Sequence, residues 1–567
     1  MRVRATLLGS AVILLSLCSA LTIRAKHAGV PQSPHVVYYT HARIYTNDPQ
    51  TPWAEAMAIS DGKISCIGQL VHVLLECGGS DEGAETVRLR GEFLMPGFND
   101  AHVHLGSAAA EALSVDLRGV TSPEEMQKRV AEAVAHHKEG EWITGGGWDH
   151  TLWPDKHFPS RQLLDAVAPK NPVILTHISG HVAVANSLAL KKAEIDKSTP
   201  NPPGGEIEHD GLGEPTGMLK ESAAMNLVRV RIPDPSVEER RRGIEIVLAN
   251  VARNGVTSAQ DNSAWEDFQV YQQLKEGGKL TVRITEWLPF NASLNDLQDR
   301  RAQGGTTDPW LRTGALKAIT DGALGSRTAA MLEPYSDDPS TTGIFTYDPE
   351  KLRAMAIERD KAGFQLNFHA IGDRANRIAL DVFEAVLKAN GPRDRRDRIE
   401  HAQVVAPTDF QRFKELKVIA SMQPSHQTTD MRWAEDRIGP ERIKGAYAWN
   451  TMLRNGVRLA FGTDYPVEPI SPFRGLYACI TRERPEGGPR HGWEPQEKIS
   501  LEDCLRAYTS GSAYAQFEEG KKGELKVGEY ADFIVLSDDL TKIPPAQYTK
   551  ERVLRTVAGG RTVYQGN

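Results

Sequence analysis

The chain has 567 residues, more than one average domain needs, and 40% of them are hydrophobic, enough for a sizeable core. Its formal net charge is −7 and it carries no long basic run, which argues against nucleic acid and other polyanions as partners. The first predicted element is a targeting segment: Arg2 and Arg4, an apolar stretch over residues 7–17, then Cys18-Ser19-Ala20. The stretch is shorter than the ~20 residues of a membrane helix. Residues 1–25 therefore read as a signal peptide and the protein as exported, periplasmic or secreted. The alternative is an uncleaved N-terminal membrane anchor.

Residues 36–97 read as short strands, the first part of a β-sandwich. They include the runs HVVYYTHARIY and AEAMAISDGKISCI, the latter with Asp61-Gly62 as a hairpin turn. Over 98–517, apolar strand-like runs at 173–176, 255–259, 315–319, 364–369, 398–401, 418–422 and 458–462 alternate with helical stretches such as 236–254, 349–362 and 374–390. Repeated β then α implies parallel strands joined by crossover helices, in a doubly wound sheet or a barrel. Residues 105–240 are too long for one strand-to-helix loop and are expected as an insertion over the active-site face. Residues 518–567 return to strands, GELKVGEYADFIVL and RVLRTVAGGRTVY. Both chain ends are thus expected to build one small discontinuous β-sandwich. Of the five cysteines, Cys18 lies in the leader. Cys66, Cys77, Cys479 and Cys504 show no metal spacing and read as isolated buried thiols, with a Cys66–Cys77 disulfide as the alternative in an oxidising compartment.

Chemistry concentrates at predicted strand ends. FLMPGFNDAHVHL closes on His102 and His104. Residues two apart on a strand face the same side, so both imidazoles can reach one cation. His369 ends the run LNFHAIGD, His401 ends RIEHAQ and Asp464 ends LAFGTDYP. Four histidines and an aspartate in matching positions on separate strands favour a (β/α)₈ TIM-like barrel, whose active site lies at the C-terminal ends of its strands. Lys317, in GALKAITDGALGSRTAA, points into the same mouth. A free ammonium would repel a divalent cation, whereas a desolvated neutral lysine can take up carbon dioxide as a carbamate. The alternative is an ordinary lysine that binds a substrate carboxylate.

This set resembles the amidohydrolase superfamily, and more narrowly the amidohydrolase family 3 branch of YtcJ-like proteins, which includes N-substituted formamide deformylase. The segments GGGWDHTLWP, HVAVAN, GEPTGMLKESA, DGALGSRTAA and FHAIGDRA carry the narrower likeness. The resemblance implies that His102, His104 and Asp464 bind one metal, that His369 and His401 bind a second, and that a carboxylated Lys317 bridges the two. It also implies Asp464 as general base and zinc, one or two divalent ions, as the cofactor. A mononuclear site of His102, His104, His369 and Asp464 is the other arrangement. Arg327, His181, Trp148 and Asp373 are secondary substrate-site candidates. His426, at a strand end, reads as incidental or as a substrate contact. The expected activity is hydrolysis of an amide C–N bond in a small molecule, with a cyclic amidine deaminase or an esterase or lactonase as alternatives. The expected partner is that small molecule, with membrane contact only through the leader and a homodimer left open.

Overall fold

Eight parallel strands wind in sequence order around a barrel: β1 (Phe98–Val103), β2 (Val256–Asp261), β3 (Arg283–Pro289), β4 (Leu311–Ile319), β5 (Leu366–Ala370), β6 (Arg398–His401), β7 (Ile419–Met422) and β8 (Leu459–Phe461). The computed structural model describes residues 36–77 and 84–566. The expected leader, residues 1–25, lies outside them. The segment after β8 closes the ring on β1: Asp464 N donates to His102 O at 2.8 Å, and His104 N to Tyr465 O at 2.8 Å. The seam is tight enough to require glycine at 462, where an added Cβ would stand 2.5 Å from His102 N.

Of the seven runs read as barrel strands, six fall in the barrel. The seventh, at 173–176, does not: Val173–His177 pairs in parallel with Ile143–Trp148 in a separate six-stranded sheet. β3 takes its place in the ring. RITEWLP hides its strand character because Arg283 and Thr285 are buried polar groups: Arg283 pairs with Asp532 at 2.6 Å, and Thr285 Oγ1 donates to Gln516 at 2.6 Å.

The main apolar core lies between this barrel and its outer helices. Helix α1 (Val237–Arg253) starts at a reciprocal capping box, Ser236 with Glu239, and buries Ile244, Val247, Leu248 and Val251 before running into β2. Helices α2 (Pro349–Lys361) and α3 (Asp373–Asn390) flank β5 in the same way.

Between β1 and α1 the chain builds its own six-stranded mixed sheet, with two apolar clusters of its own. The chain ends form two further sheets. Strand Phe533–Leu536 lies between Val553–Ala558 and Phe93–Pro96, so the C-terminal strands pair directly with N-terminal ones. A four-stranded sheet made by residues 36–88 faces it, and Tyr39, Met57, Ile59, Leu94, Phe533 and Val557 share the core between them.

The reading of isolated thiols is corrected. Cys66 is bonded to Cys77 and Cys479 to Cys504. The second pair joins the packed helices Pro472–Thr481 and Leu501–Ala507, whose approach has no signature in the 25-residue spacing.

Candidate active site

Strand register sets the depth of each side chain. Ile319 on β4 pairs with His369 on β5, and Ala370 on β5 pairs with His401 on β6. Lys317 faces the same way as Ile319 but lies two residues earlier on its strand, one layer below His369. His102, the next-to-last residue of β1, lies at that deeper level, and Lys317 Nζ stands 3.2 Å from its Nε2. His401 and Asp464 leave their strands with φ of +73° and +61°. Non-glycine residues rarely adopt that left-handed region, and both do so where their side chains turn inward.

Asp464 is the hub. Its Oδ1 lies 3.1 Å from His104 Nε2 and 3.5 Å from His102 Nε2, and its Oδ2 lies 3.1 Å from His426 Nε2. The His401 ring stands between those of His102 and His369, at centroid distances of 5.1 and 4.6 Å. Over these groups opens a cavity of about 400 Å³, whose upper wall is apolar: Ile319, Leu324, Ile371, Trp433 and Val467.

The far sides of His102 and His104 are held in place, and a carboxylate stands behind His369. His102 Nδ1 meets Glu400 Oε2 at 2.8 Å. Glu400 is in turn fixed by Arg398 Nε at 2.5 Å and Ser421 Oγ at 2.8 Å, all fully buried inside the barrel. His104 Nδ1 lies 3.1 Å from the carbonyl of Asn262, and His369 Nδ1 lies 3.1 Å from Asp321 Oδ1. Asp321 also accepts backbone N–H groups from Ala330, Ile371 and Gly372. Partners of this kind fix the tautomers of His102 and His104 and leave Nε2 directed at the shared space, whereas His369 Nδ1 makes no aligned hydrogen bond to Asp321.

Electrostatics follow burial. Desolvation pushes His102 down to about 4, helped by Lys317, and pushes His401 well below the usual imidazole range. Burial also lowers Lys317, to about 8. Burial alone would raise Asp464, but His102, His104, His426 and His401 outweigh it and hold the carboxylate well below its ordinary value. Glu400 is brought to about 2 against its own burial by Arg398 and His102. His426 is raised to about 9, because contact with Asp464 outweighs desolvation. His102 and His401 are thereby held neutral beside the ionised Asp464 and Glu400, the protonation pattern a cation requires, while His426 carries the positive charge that faces Asp464.

The residue set fits a metal. Asp464 Oδ1 is buried close to two imidazole nitrogens and still lacks an aligned hydrogen bond. The groups His102, His104, Asp464 and His401, His426, Asp464 each bring their ligand atoms within 4.8 Å of one another.

All six residues read from the sequence as metal ligands, His102, His104, Lys317, His369, His401 and Asp464, line the one cavity. The four secondary candidates do not. Arg327 is bound to Asp337 through two hydrogen bonds, at 3.0 and 2.8 Å, a carboxylate it shares with Arg437, and it does not line the cavity. His181 is exposed and pairs with Glu221. Trp148 is fully buried in the inserted sheet, its Nε1 donating to Leu175 O at 3.0 Å. Asp373 accepts from Leu332 N at 2.7 Å at the start of α3. The sequence reading missed Glu400 and Asp321, and it undervalued His426. Glu400 sits immediately before His401 and Asp321 four residues after Lys317, so adjacency to a ligand was the available signal.

A family model described as Amidohydrolase family matches residues 85–564. The protein LONG AFTER FAR-RED 3 of Arabidopsis thaliana is 38% identical over 541 residues, 93% of this chain and 91% of that protein. N-substituted formamide deformylase of Arthrobacter pascens is 29% identical over 545 residues, 93% and 97% of the two chains. The crystal structure of an uncharacterized metal-dependent hydrolase from Pyrococcus furiosus superposes with a TM-score of 0.73 at 30% identity, covering 90% of this chain and all of that one.

Proposed function

Because the chain belongs to the amidohydrolase family, on a barrel shared with a metal-dependent hydrolase, we propose that it hydrolyses the C–N bond of a small amide carrying an apolar substituent. The observation that carries this reading is the buried, ionised Asp464 held between His102, His104 and His426 at the floor of an apolar-walled cavity.

His102, His104, Lys317, His369, His401 and Asp464 would hold one or two divalent ions, with zinc the best match to imidazole and carboxylate donors. When bound, such an ion lowers the pKa of water and polarises the substrate carbonyl. Asp464 then takes the proton of the attacking water and returns it to the leaving nitrogen. His426, 3.1 Å from Asp464 Oδ2, steadies that carboxylate. Lys317, lowered by burial to about 8, presents enough neutral amine near neutral pH to add carbon dioxide. The neutral amine forms an N–C bond to carbon dioxide and loses one proton, so Lys317 would become an anionic carbamate able to serve as a metal ligand. Ile319, Leu324 and Trp433 take the apolar substituent, and no unpaired guanidinium lines the cavity among the described residues. Two disulfides support the reading of an exported protein.

The test is a substrate panel with metal-loaded protein: N-substituted formamides, acyl-amino acids, cyclic amidines, cyclic ureas and esters. Amine and acid release from amides is expected, fastest for uncharged apolar ones. Ammonia released from cyclic amidines alone, or turnover of esters alone, would replace the amidase reading.

A further inference from the structure

The inserted unit repeats, on a smaller scale, the logic of the barrel. Strands Ile143–Trp148 and Val173–His177 are parallel neighbours, with Trp148 opposite His177. Their C-terminal ends therefore deliver Asp149, His150 and His177 to one edge of the sheet. One ligand atom from each of the three lies within 4.8 Å of the others. His150 Nδ1 and His177 Nε2 are shielded from solvent, and neither has a hydrogen-bond partner. A buried polar nitrogen without a partner is costly, and two that face one carboxylate are costlier still.

We propose that Asp149, His150 and His177 form a second metal site, separate from the barrel, that binds a transition-metal cation of the zinc class. Two neutral imidazoles and one carboxylate are a nitrogen and oxygen donor set suited to that class, with a fourth position left for water. The surroundings hold the donors in place. The Trp148 ring stands 4.6 Å from that of His177, and the Phe158 ring 4.2 Å from that of His150. Asp149 Oδ1 accepts from Thr151 N at 2.9 Å and Thr151 Oγ1 at 2.7 Å. Ser179 N and Ser179 Oγ both lie at His177 Nδ1, at 3.1 and 2.8 Å. With Ser179 Oγ accepting the Nδ1 proton, His177 Nε2 is free for a cation. Asp149 Oδ1 is 3.9 Å from His177 Nε2. Donors around a tetrahedral zinc stand about 3.4 Å apart, so the set closes by small side-chain rotations. A cation here staples together the ends of the two strands.

The test counts metal on the full chain. Protein stripped with chelator is saturated with Zn²⁺, desalted and analysed, as wild type and as His177→Ala. The same pair is made in a His102→Ala/His104→Ala background, so the readout does not depend on how many ions the barrel holds. His177→Ala is expected to bind one ion fewer per chain in both backgrounds, and His150→Gln to do the same. If His177→Ala does not fold, His150→Gln makes the comparison. Equal counts with and without these substitutions in both backgrounds overturn the proposal.

Discussion

Glu400→Gln tests whether the barrel site is built from its interior outward. Glu400 is fully buried and joins His102 Nδ1, Arg398 Nε and Ser421 Oγ. In the metal-free chain its carboxyl is held at about 2, against an ordinary 4.5. A depression of that size corresponds to about 3 kcal/mol favouring the ionised folded form. The amide keeps the shape and loses the charge, which leaves the Arg398 guanidinium without its carboxylate. Loss of one partner from a buried pair typically costs ~3–5 kcal/mol, in the same range. The sign with pH is fixed. A depressed carboxylate contributes fully above its unfolded value and loses that contribution as pH falls toward its folded one. Urea unfolding of the metal-free protein should therefore show the variant weaker by about 3 kcal/mol at pH 7. The gap should narrow from about pH 4.5 down to pH 2. Zinc affinity should fall by roughly 10–100-fold, as is usual when a ligand loses its outer partner. A stability loss under about 0.5 kcal/mol at pH 7 with unchanged zinc affinity would refute this account of His102.

Asp464→Asn should fold normally by circular dichroism and lose roughly 10²–10⁴-fold in turnover, since the amide cannot accept the water's proton. A variant that keeps more than about a tenth of the rate would transfer the base role to another group. Lys317→Ala should lower bound metal from two toward one, with activity partly restored by short carboxylic acids supplied with bicarbonate and zinc. Unchanged metal content with only a raised KM would rule out the carbamate. Truncation after residue 518 removes strand Phe533–Leu536, which pairs on both edges. Insoluble protein is expected, because Phe93–Pro96 and its apolar neighbours lose their cover. A soluble, active product would show that the paired sheets are dispensable.

The sequence disclosed the fold where local pattern and tertiary role agree. The runs that became β4, β5, β7 and β8 are largely apolar, and Lys317, His369 and Asp464 lie within or just past three of them. The pattern failed at β3, because Arg283 and Thr285 face polar groups contributed by residues 516 and 532, over 200 positions away. It also failed at residues 173–176, an apolar run as barrel-like as any other. Its partner strand Ile143–Trp148 is half glycine, ITGGGW, and carries little apolar signal. A glycine-rich strand is legible only through what approaches it: a Cβ at Gly145 or Gly146 would stand 2.3 Å from the neighbouring backbone.

The same division runs through the site. His102 and His104 announce themselves because two imidazoles at strand spacing share a face, a relation the chain states locally. What makes them competent ligands is stated elsewhere. Glu400 orients His102 from nearly 300 positions away, and Arg398, which holds Glu400, also donates to the carbonyl of Ala101 at 2.9 Å. Both strands of that contact meet only because the barrel closes. His426 looked incidental since it follows β7 on a short helix, Pro424–Asp430, with no neighbouring ligand in sequence. Closure of β8 onto β1 brings Asp464 to it. Arg327 illustrates the converse. A cation after a glycine-rich turn reads as an anion-binding group, yet Asp337, ten residues on, has already claimed it. With that side chain turned to Asp337 and away from the cavity, the wall left to the substrate is Ile319, Leu324, Ile371, Trp433 and Val467. Discrimination among amides then rests on apolar fit, so each methylene removed from a substituent should cost only a modest factor in kcat/KM, about 10-fold or somewhat more.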